Sequence, residues 1–494
     1  MMNNVLVFPM IVPILAAMLL VFFRSNRAIQ RWGSIATMTA VLLISFWILQ
    51  QVMSQGIMRL DFGEWLPPFG ITFVADAFAV LLVTASSLVT ILCLVYAAFA
   101  KDEKRESFFM YPFSLLLAAG VNGSFLTGDL FNLFVCFEVM LLASYALMTL
   151  GGEKKQLTEG IKYILINILS SWLFLLGIAY LYGTLGTLNM AHLSVRIAEA
   201  GQPPLLTAIS MLFLVVFSLK AGLVLYFWLP GSYSALPTAI SALFAALLTK
   251  VGVYALFRVF TLLFYHEPSV THTVIGYMAI ATMIGGSIGA LAYRDVRKIA
   301  AYNVVIAIGF ILVGLASNNI EAIQGSIYYL VHDILIKGLL FLLVGTIIYV
   351  TGKTKFDQES GLITNYPLFG WLFFIMILSL GGIPPFSGFA GKLLIGQGAI
   401  GAGEYVLTAV AFLSSLFVLY SLLRIFLNMF WGETTIRSKD QVHLSKGMLA
   451  PLVILTALTA ALGLGADFIS PYVLEAANVL MNPDIYINGA LNHD

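Results

Sequence analysis

Five ionisable side chains stand in the middle of long apolar segments: Glu138, Lys220, Lys250, Lys337 and Lys392. A lysine at the centre of a bilayer costs about 2.5–3.5 kcal/mol on insertion scales, so such a residue marks a functional site with a partner. A row of these groups could carry protons sideways through the protein, because in a low dielectric the charge of each group alters the proton affinity of the next. Packing alone does not explain five such groups in five segments, and the row predicts a proton pathway.

Glu138 needs a cation from another segment. Its neighbours within one helical turn carry no charge, and an isolated buried carboxylate would take up a proton. Lys220 lies at similar depth and is the leading candidate partner. The alternative is a static ion pair that joins two helices, although membrane helices are usually joined through small polar residues.

Lys250 has no acid one helical turn away and also requires a remote partner, unless it stays neutral or binds water. Lys337 has a candidate in Asp333, four residues earlier, which is the favourable orientation for a same-face pair. His332 points about 100° away from Asp333 around the helix, and histidine titrates near neutral pH. Two interpretations stay open for this segment: a proton relay, or a local salt bridge beside a core histidine.

Helix breakers interrupt two of the apolar segments beside lysines. Pro230 and Pro237 follow Lys220, and the stretch from Gly381 to Lys392 reads GGIPPFSGFAGK. Irregular backbone at membrane depth is tolerated only where protein or a water-filled cavity satisfies it, so we expect Lys392 to face a hydrated cavity. The alternative is a lysine that extends from a shortened helix toward the membrane surface.

The composition indicates which elements hold these residues. Hydrophobic residues make up 60% of the 494 residues and charged residues only 10%, whereas soluble domains have about 25% charged residues. A bilayer core needs about 20 apolar residues per helix, which predicts an all-α polytopic membrane protein of about fourteen transmembrane helices. The predicted spans are 5–23, 32–52, 73–99, 108–127, 130–150, 162–183, 205–231, 237–264, 273–293, 299–316, 322–350, 366–402, 405–430 and 448–468.

The basic residues orient these spans, because cytoplasmic loops carry an excess of Lys and Arg. Only Arg59 and Arg196 lie in the loops of one side, so both termini are predicted on that extracytoplasmic side. Arg258 and Arg424 lie nearer span ends, where we expect them to extend toward the surface. Seventeen of the 25 basic residues follow spans 1, 3, 5, 9, 11 and 13: Arg24, Arg27, Arg31, Lys101, Lys104, Arg105, Lys154, Lys155, Lys162, Arg294, Arg297, Lys298, Lys353, Lys355, Arg437, Lys439 and Lys446.

The two interrupted spans, 7 and 12, are five spans apart and therefore cross the membrane in opposite directions. Inverted repeats with discontinuous helices near the midplane have this pattern. We predict a single transmembrane domain, 1–494, with four parts. They are the N-terminal helices 1–3 (1–105), a first repeat of helices 4–8 (106–270), a second repeat of helices 9–13 (271–435), and helix 14 with the C-terminal tail (436–494).

Several other kinds of site are not predicted. Cys93 and Cys136 both fall in apolar segments, so neither a disulfide framework nor a zinc site is expected. The sequence indicates no cofactor, no metal site and no soluble domain, and its basic runs are too short to predict nucleic-acid binding. The N-terminus lacks a positively charged leader region and is predicted to be the first span.

Four segments resemble the antiporter-like subunits shared by respiratory complex I, membrane-bound hydrogenases and Mrp-type multisubunit cation/proton antiporters. The resemblance covers nearly the whole chain and is closest to the D-type Mrp subunits; the length excludes the large A-type subunit. It implies that Glu138 and Lys220 are the ion pair of one half-channel, that Lys250 connects the halves, and that Lys337 and Lys392 are the relay and exit of the other. The segments are GDLFNLFVCFEVMLLASYAL (128–147), KAGLVLYFWLPGSYSALPTAISALFAALLTKVGVYALFR (220–258), YRDVRKIAAYNVVIAIGF (293–310) and GGIPPFSGFAGK (381–392).

One position departs from the family pattern. The family usually has a histidine four residues before the span 11 lysine, whereas Asp333 stands there and His332 precedes it. The His-Asp pair resembles that of the D-type subunits. It makes an Asp333–Lys337 pair the candidate substitute for histidine in the relay.

The resemblance implies a transport subunit, not an enzyme, of a multisubunit Na⁺/H⁺ antiporter in a bacterial cell membrane. Its expected partners are the other subunits of the complex, H⁺ and Na⁺, and the lipid bilayer. The lysine-rich row suits protons better than metal cations, so we expect the sodium site in a partner subunit. The alternatives are a proton-pumping membrane subunit of a complex I-like or hydrogenase redox complex, and a scaffold with vestigial charges.

Overall fold

The computed structural model describes residues 2–100, 103–106, 108–201, 203–356, 361–434 and 441–491. Within these ranges the chain is almost entirely helical, which confirms the predicted all-α membrane fold. Twelve helices of the described part are long and apolar enough to cross a membrane. Predicted spans 4 and 12 correspond to shorter helices, so the count of fourteen stays a prediction. Lys101, Arg437, Lys439 and the predicted boundary at 435/436 lie outside the described residues.

A small β-hairpin, which the sequence pattern did not predict, fills the loop between the second and third helices. Its strands are antiparallel, with Met58 opposite Ala75 and Asp61 opposite Thr72. The hairpin leads directly into α3 and so fixes Asp76 at the start of that helix. The elements of this region are a 3₁₀ turn (Met2–Val7), α1 (Phe8–Phe22), α2 (Arg27–Gln55), β1 (Met58–Asp61), a second 3₁₀ turn (Phe62–Glu64), β2 (Thr72–Ala75), α3 (Ala77–Ala100) and α4 (Glu103–Glu106).

The first predicted repeat contains one interrupted span. Its first half, α9, ends at Ala221 and is followed by Gly222, whose φ of +81° is a left-handed conformation that glycine adopts without strain. Lys220 lies in the last turn of that half, before the break. The helices of this region are α5 (Met110–Leu126), α6 (Leu130–Thr149), α7 (Lys154–Leu185), α8 (Met190–Ala200), α9 (Pro204–Ala221), α10 (Leu229–Ala235) and α11 (Thr238–Leu262).

The second predicted repeat contains the other interrupted span. Its first half, α16, ends at Gly382 with a φ of +80°, and the second half, α17, begins at Ser387. Lys392 lies in the second half, after the break, whereas Lys220 precedes its break. The two lysines are therefore not at equivalent positions. The helices are α12 (Pro268–Ala292), α13 (Val296–Ser317), α14 (Ile320–Thr351), α15 (Leu362–Asn365), α16 (Pro367–Gly381), α17 (Ser387–Gly401) and α18 (Tyr405–Met429).

Two aspartates occupy matching places in the regions proposed as repeats. Asp129 caps α6 and forms an isolated β-bridge with Asn189, in the loop that follows α7. Asp295 caps α13 and forms the same kind of bridge with Lys355, in the loop that follows α14. Each aspartate thus lies at the start of the second long helix of its region and contacts the loop that follows the third. This correspondence supports the proposed division into repeats.

The C-terminal region continues as helix up to Leu491, where the sequence predicts only a tail after helix 14. After α19 (Lys446–Leu464) come α20 (Ala466–Met481) and α21 (Pro483–Leu491). Helix α20 packs against α3 and α14, and α21 packs against α8 and β1. Tyr486 of α21 is buried, so this segment belongs to the core of the fold.

The centre of the molecule is built around α11. Every residue from Ile240 to Leu262 is buried, and α11 contacts α3, α9 and α14. The contact with α9 is close at Gly252, where a Cβ atom would lie 2.5 Å from the backbone nitrogen of Ala221 and 2.9 Å from the carbonyl carbon of Lys220. Glycine at this position therefore lets the helices that carry Lys220 and Lys250 touch.

Candidate proton pathway

The first charged cluster joins three helices. Ser171 of α7 donates a 2.5 Å hydrogen bond to Glu138 Oε1 of α6, and Lys220 Nζ of α9 donates a 2.9 Å hydrogen bond to Ser171 Oγ. Lys220 also lies 5.5 Å from the centre of the Phe137 ring, a favourable place for a cation. The expected pairing of Glu138 with Lys220 is therefore mediated by a hydroxyl group instead of a direct ion contact. A serine can accept a proton from one neighbour while it donates to the other.

Replacing Ser171 with alanine is expected to reduce proton movement several-fold. The change removes the hydroxyl that links the carboxylate to the ammonium group, and a hydrogen bond to a charged group contributes about 1.5–3 kcal/mol. The measurement is Na⁺-driven proton movement in membrane vesicles that carry the assembled complex. The matched control is Ser170→Ala, because Ser170 is equally buried but donates only to the carbonyl oxygen of Val216. Equal transport by the two variants would contradict a role for the bridging hydroxyl.

The central cluster contains the remote partner that Lys250 requires. Lys250 Nζ of α11 lies 2.7 Å from Asp333 Oδ2, and Lys337 Nζ lies 3.4 Å from Asp333 Oδ1. All three side chains are buried. Two ammonium groups and one carboxylate carry one excess positive charge, and loss of a single proton makes the cluster neutral. The predicted Asp333–Lys337 pair is present, but the shorter contact joins Asp333 to Lys250 on another helix.

Backbone carbonyl groups complete the surroundings of both lysines. Lys250 Nζ donates to the carbonyl oxygen of Ala245 at 3.0 Å, and Lys337 Nζ donates to that of Asn303 at 3.0 Å. The Asn303 side chain in turn donates to Ser421 of α18 at 3.1 Å. These neutral acceptors solvate the ammonium groups without fixing a second charge beside them.

His332 does not join the central cluster. Its Nδ1 lies 2.7 Å from Ser387 Oγ, at the first residue of α17 beside the break in span 12. Its ring packs against Tyr329, and Nε2 has no hydrogen-bond partner among the described residues. Asp333 and His332 therefore point from α14 to different neighbours, one toward α11 and the other toward α17.

Lys392 lies beside a cavity of about 300 Å³ between α17 and α18. Its Nζ donates to the carbonyl oxygen of Leu380 at 2.7 Å, in the last turn of α16, and it contacts Ser415 Oγ of α18. The side chain is 4% exposed, so it does not extend to the membrane surface. The break supplies the carbonyl acceptor that a continuous helix would have used in its own ladder.

The structure corrects the expectation for Arg258. Its guanidinium lies 2.6 Å from Asp76 Oδ2, and the side chains are 2% and 0% exposed. It stacks on Tyr486 of the C-terminal helix, 4.7 Å from the ring centre, and donates to the Tyr254 hydroxyl at 3.3 Å. Because α11 is surrounded on all sides, Arg258 is a core residue that holds three elements together and does not extend to the surface.

The structure also corrects the expectation for Arg424, which does not extend to the surface. It is half-buried and donates to the carbonyl oxygens of Leu291 at 2.8 Å and Tyr293 at 3.2 Å. These acceptors lie in the last turn of α12 and at its C-cap. The arginine therefore ties α18 to α12, and its role is structural.

Sequence reasoning missed three serines that contact the candidate residues. Ser171, Ser387 and Ser415 each bind one of the predicted ionisable residues, yet serine is common in membrane helices and carries no charge. Within the sequence, the only indication of these serines was that each lies in an apolar segment that also contains glycine or a second serine. The described candidate residues fall into a Glu138–Ser171–Lys220 cluster and a Lys250–Asp333–Lys337 cluster, with His332 and Lys392 each bound to a serine.

The chain is similar to known proteins over its whole length. Residues 127–460 match the family model described as NADH:quinone oxidoreductase/Mrp antiporter, transmembrane. The chain is 49% identical over 491 residues to the D-type subunit of the Na⁺/H⁺ antiporter of Bacillus subtilis (strain 168), covering 99% of this chain and 100% of the relative.

Two solved structures share the fold. A chain of the Mrp complex from Dietzia sp. DQ12-45-1b superposes with a TM-score of 0.94 at 31% identity, with full coverage of both chains. A chain of respiratory complex I from Thermus thermophilus superposes with a TM-score of 0.83 at 21% identity, covering 97% of this chain and 100% of that one, which shows a shared fold only. The chain therefore belongs to the family of transmembrane subunits common to NADH:quinone oxidoreductases and Mrp antiporters.

Proposed function

We propose that this chain is the proton-translocating subunit of a multisubunit Na⁺/H⁺ antiporter in a bacterial cell membrane. The observation that carries the proposal is the buried Asp333 carboxylate, which lies between Lys250 and Lys337 on two central helices. The similarity to a named antiporter subunit over 99% of the chain supports the same assignment. Sodium would cross elsewhere in the assembly, and both termini would lie on the extracytoplasmic side.

The geometry suggests how a proton would move. The hydrogen bonds run from Lys220 to Ser171 and from Ser171 to Glu138, so Lys220 can pass a proton to Ser171 Oγ while Ser171 gives its own proton to Glu138. A proton that enters at Glu138 reaches Lys220 by the reverse shift, once Lys220 is neutral and both hydrogen bonds have turned round. A proton that binds Lys220 makes this side chain positive. In the low dielectric of the protein interior, that charge repels the excess positive charge of the central cluster. Lys250 and Lys337 compete for the single carboxylate of Asp333, so release of a proton by one strengthens the pairing of the other. Lys392 then exchanges the proton at the far end of the row.

Replacing Glu138 or Lys220 with alanine is expected to reduce Na⁺-driven proton movement strongly. Either change breaks the only chain of hydrogen bonds described between α6 and α9 at this depth. The test is exchange in everted vesicles that carry the whole complex, normalised to the amount of assembled complex. Glu199→Ala is the control, because Glu199 is an exposed acid on α8. Full transport by the Glu138 or Lys220 variant would overturn the proposal.

A proton-pumping subunit of a redox complex is the second candidate. The same row would serve it, with the driving force supplied by a partner. It is less favoured, because the likeness to complex I rests on the fold at 21% identity, whereas the likeness to the antiporter subunit is 49% in sequence. A scaffold with vestigial charges is the third candidate, and it predicts that loss of Lys250 or Lys392 leaves transport intact.

A further inference from the structure

The break between α9 and α10, residues 222–228, contains a residue in a costly backbone conformation. Val224 has a φ of +59°, in the left-handed region that β-branched residues rarely adopt. Such strain persists only where the surroundings fix the backbone, and it is concentrated at functional sites. Lys220 lies four residues before Val224, so the groups that hold this conformation also affect the position of the lysine.

Hydrogen bonds join the break to the last turn of α9, which carries Lys220. The N–H group of Gly222 donates to the carbonyl oxygen of Ser218 at 2.8 Å. The indole N–H group of Trp228 donates to the carbonyl oxygen of Leu219 at 3.1 Å. Because Ser218 and Leu219 directly precede Lys220, a change in the conformation of the break alters the turn on which this lysine lies.

A hydroxyl group from the second predicted repeat holds Val224 in place. The N–H group of Val224 donates to Thr282 Oγ1, near the middle of α12, at 2.8 Å. Thr282 is buried, and its own hydroxyl donates to the carbonyl oxygen of Met278 at 2.6 Å. The hydroxyl proton is thus used within α12, and a lone pair of the oxygen accepts from the break. Within a membrane, a backbone N–H group that a helix break sets free needs such a partner, and threonine hydroxyls can supply it.

A second contact with α12 lies one helical turn further along that helix. A Cβ atom at Gly285 would lie 2.1 Å from Tyr226 Oη, so the tyrosine hydroxyl packs against α12 where glycine leaves room. Tyr226 also makes an edge contact with Tyr302 of α13, with 6.4 Å between the ring centres. Thr282 and Gly285 are three residues apart and therefore share one face of α12. Helices of the second predicted repeat thus fix the break at two points.

We propose that Thr282 is a positioning residue for Lys220. Its hydroxyl holds Val224 in the left-handed conformation, which fixes the break and with it the last turn of α9. This in turn sets the position of Lys220 relative to Ser171, the residue to which Lys220 donates its hydrogen bond. The inference rests on the proposed function, in which Lys220 carries a proton. It gives a helix of the second predicted repeat a role in the first charged cluster.

The first test is Na⁺-driven proton movement in everted vesicles, normalised to the amount of assembled complex. Thr282→Val keeps the shape of the side chain and removes the acceptor, and we expect transport to fall about three- to tenfold, as loss of one hydrogen bond implies. Thr282→Ser keeps the hydroxyl and should retain transport. Ser287→Ala is the matched control, because Ser287 is a buried residue of the same helix whose hydroxyl donates to the carbonyl oxygen of Met283 within α12.

A double variant tests the backbone conformation itself. Glycine adopts a positive φ without the steric penalty of valine, so Val224→Gly should keep the break in place when the hydroxyl is absent. We expect Thr282→Val combined with Val224→Gly to recover most of the transport that Thr282→Val alone loses. If Thr282 served only the packing of α12, the second substitution would bring no recovery, and that result would overturn the proposal.

Hydrogen–deuterium exchange of the purified complex gives a readout that does not depend on transport. In Thr282→Val the amides of residues 222–228 should exchange at least about twofold faster, because the Val224 N–H group loses its partner, and in Ser287→Ala their exchange should stay unchanged. The proposal requires both slower transport and faster exchange in Thr282→Val, and the absence of either would overturn it. Lys220→Ala in the same vesicles separates the two hypotheses. Its strong loss of transport beside an active Thr282→Val would overturn only the role of Thr282, whereas its full transport would overturn the proposed function and the role of Thr282 with it.

Discussion

Replacing Asp333 with asparagine is expected to cause the largest loss of transport of any single substitution in this chain. Asp333 is the counter-ion of both Lys250, at 2.7 Å, and Lys337, at 3.4 Å. Breaking a buried ion pair by removal of one partner costs about 3–5 kcal/mol, because the other charge stays buried and uncompensated. Without the carboxylate that both lysines share, a proton can no longer move between them past a counter-ion. We therefore expect the rate of proton movement to fall by more than about tenfold, which corresponds to a barrier raised by roughly 1.4 kcal/mol.

The measurement is Na⁺-driven proton movement per assembled complex in everted vesicles. Glu321→Gln is the matched control, because Glu321 is an exposed acid in the first turn of the same helix. A second variant separates stability from transport. Asp333→Asn combined with Lys250→Met returns the net charge of the cluster to its original +1, so it should recover part of the stability and assembly without recovering transport. Normal transport by Asp333→Asn would show that protons do not pass through this cluster.

Replacing Arg258 with methionine is expected to have the largest effect on stability. The change leaves the Asp76 carboxylate buried and without its 2.6 Å partner, and it removes the cation that stacks on Tyr486. Loss of one member of a buried pair lowers the free energy of unfolding by about 3–5 kcal/mol. We expect a lower apparent unfolding temperature of the purified complex and less assembled complex in the membrane.

Transport per assembled complex should change little in Arg258→Met, because Arg258 lies outside the clusters of the pathway. Arg196→Met is the control, since Arg196 is an exposed arginine on α8. The double variant Arg258→Met with Asp76→Asn should regain much of the lost stability, because asparagine keeps the acceptor that caps α3 at Ala79 and carries no charge. Unchanged stability of Arg258→Met would mean that the pair contributes nothing to the fold.

The two substitutions are expected to affect different properties, transport in one case and stability in the other, because the residues have different surroundings in the fold. Arg258 and Lys250 lie eight residues apart on α11, and both have buried carboxylate partners. Arg258 is enclosed by two tyrosines and the start of α3, which fix one geometry. Lys250 shares its carboxylate with a second lysine, so Asp333 has two cations with which it can pair.

The sequence by itself determined the class of protein, the apolar segments, both interruptions and the residues that carry charge inside the membrane. These properties are local, because hydropathy, glycine, proline and charge are read along the chain without knowledge of neighbours. The sequence also indicated the depth of each ionisable residue from its distance to the segment ends. It could not indicate the face of the helix on which each residue lies relative to other helices.

The tertiary structure decided which charges meet. Asp333 pairs with Lys250, 83 residues away in the chain, more closely than with Lys337 on its own helix. Ser171 contacts both Glu138 and Lys220 because α7 packs between α6 and α9, and Arg258 is buried because the C-terminal helix covers it. These outcomes depend on how whole helices pack around α11. The free energy of a buried charge is set by its nearest partner, and that partner is a property of the packed fold.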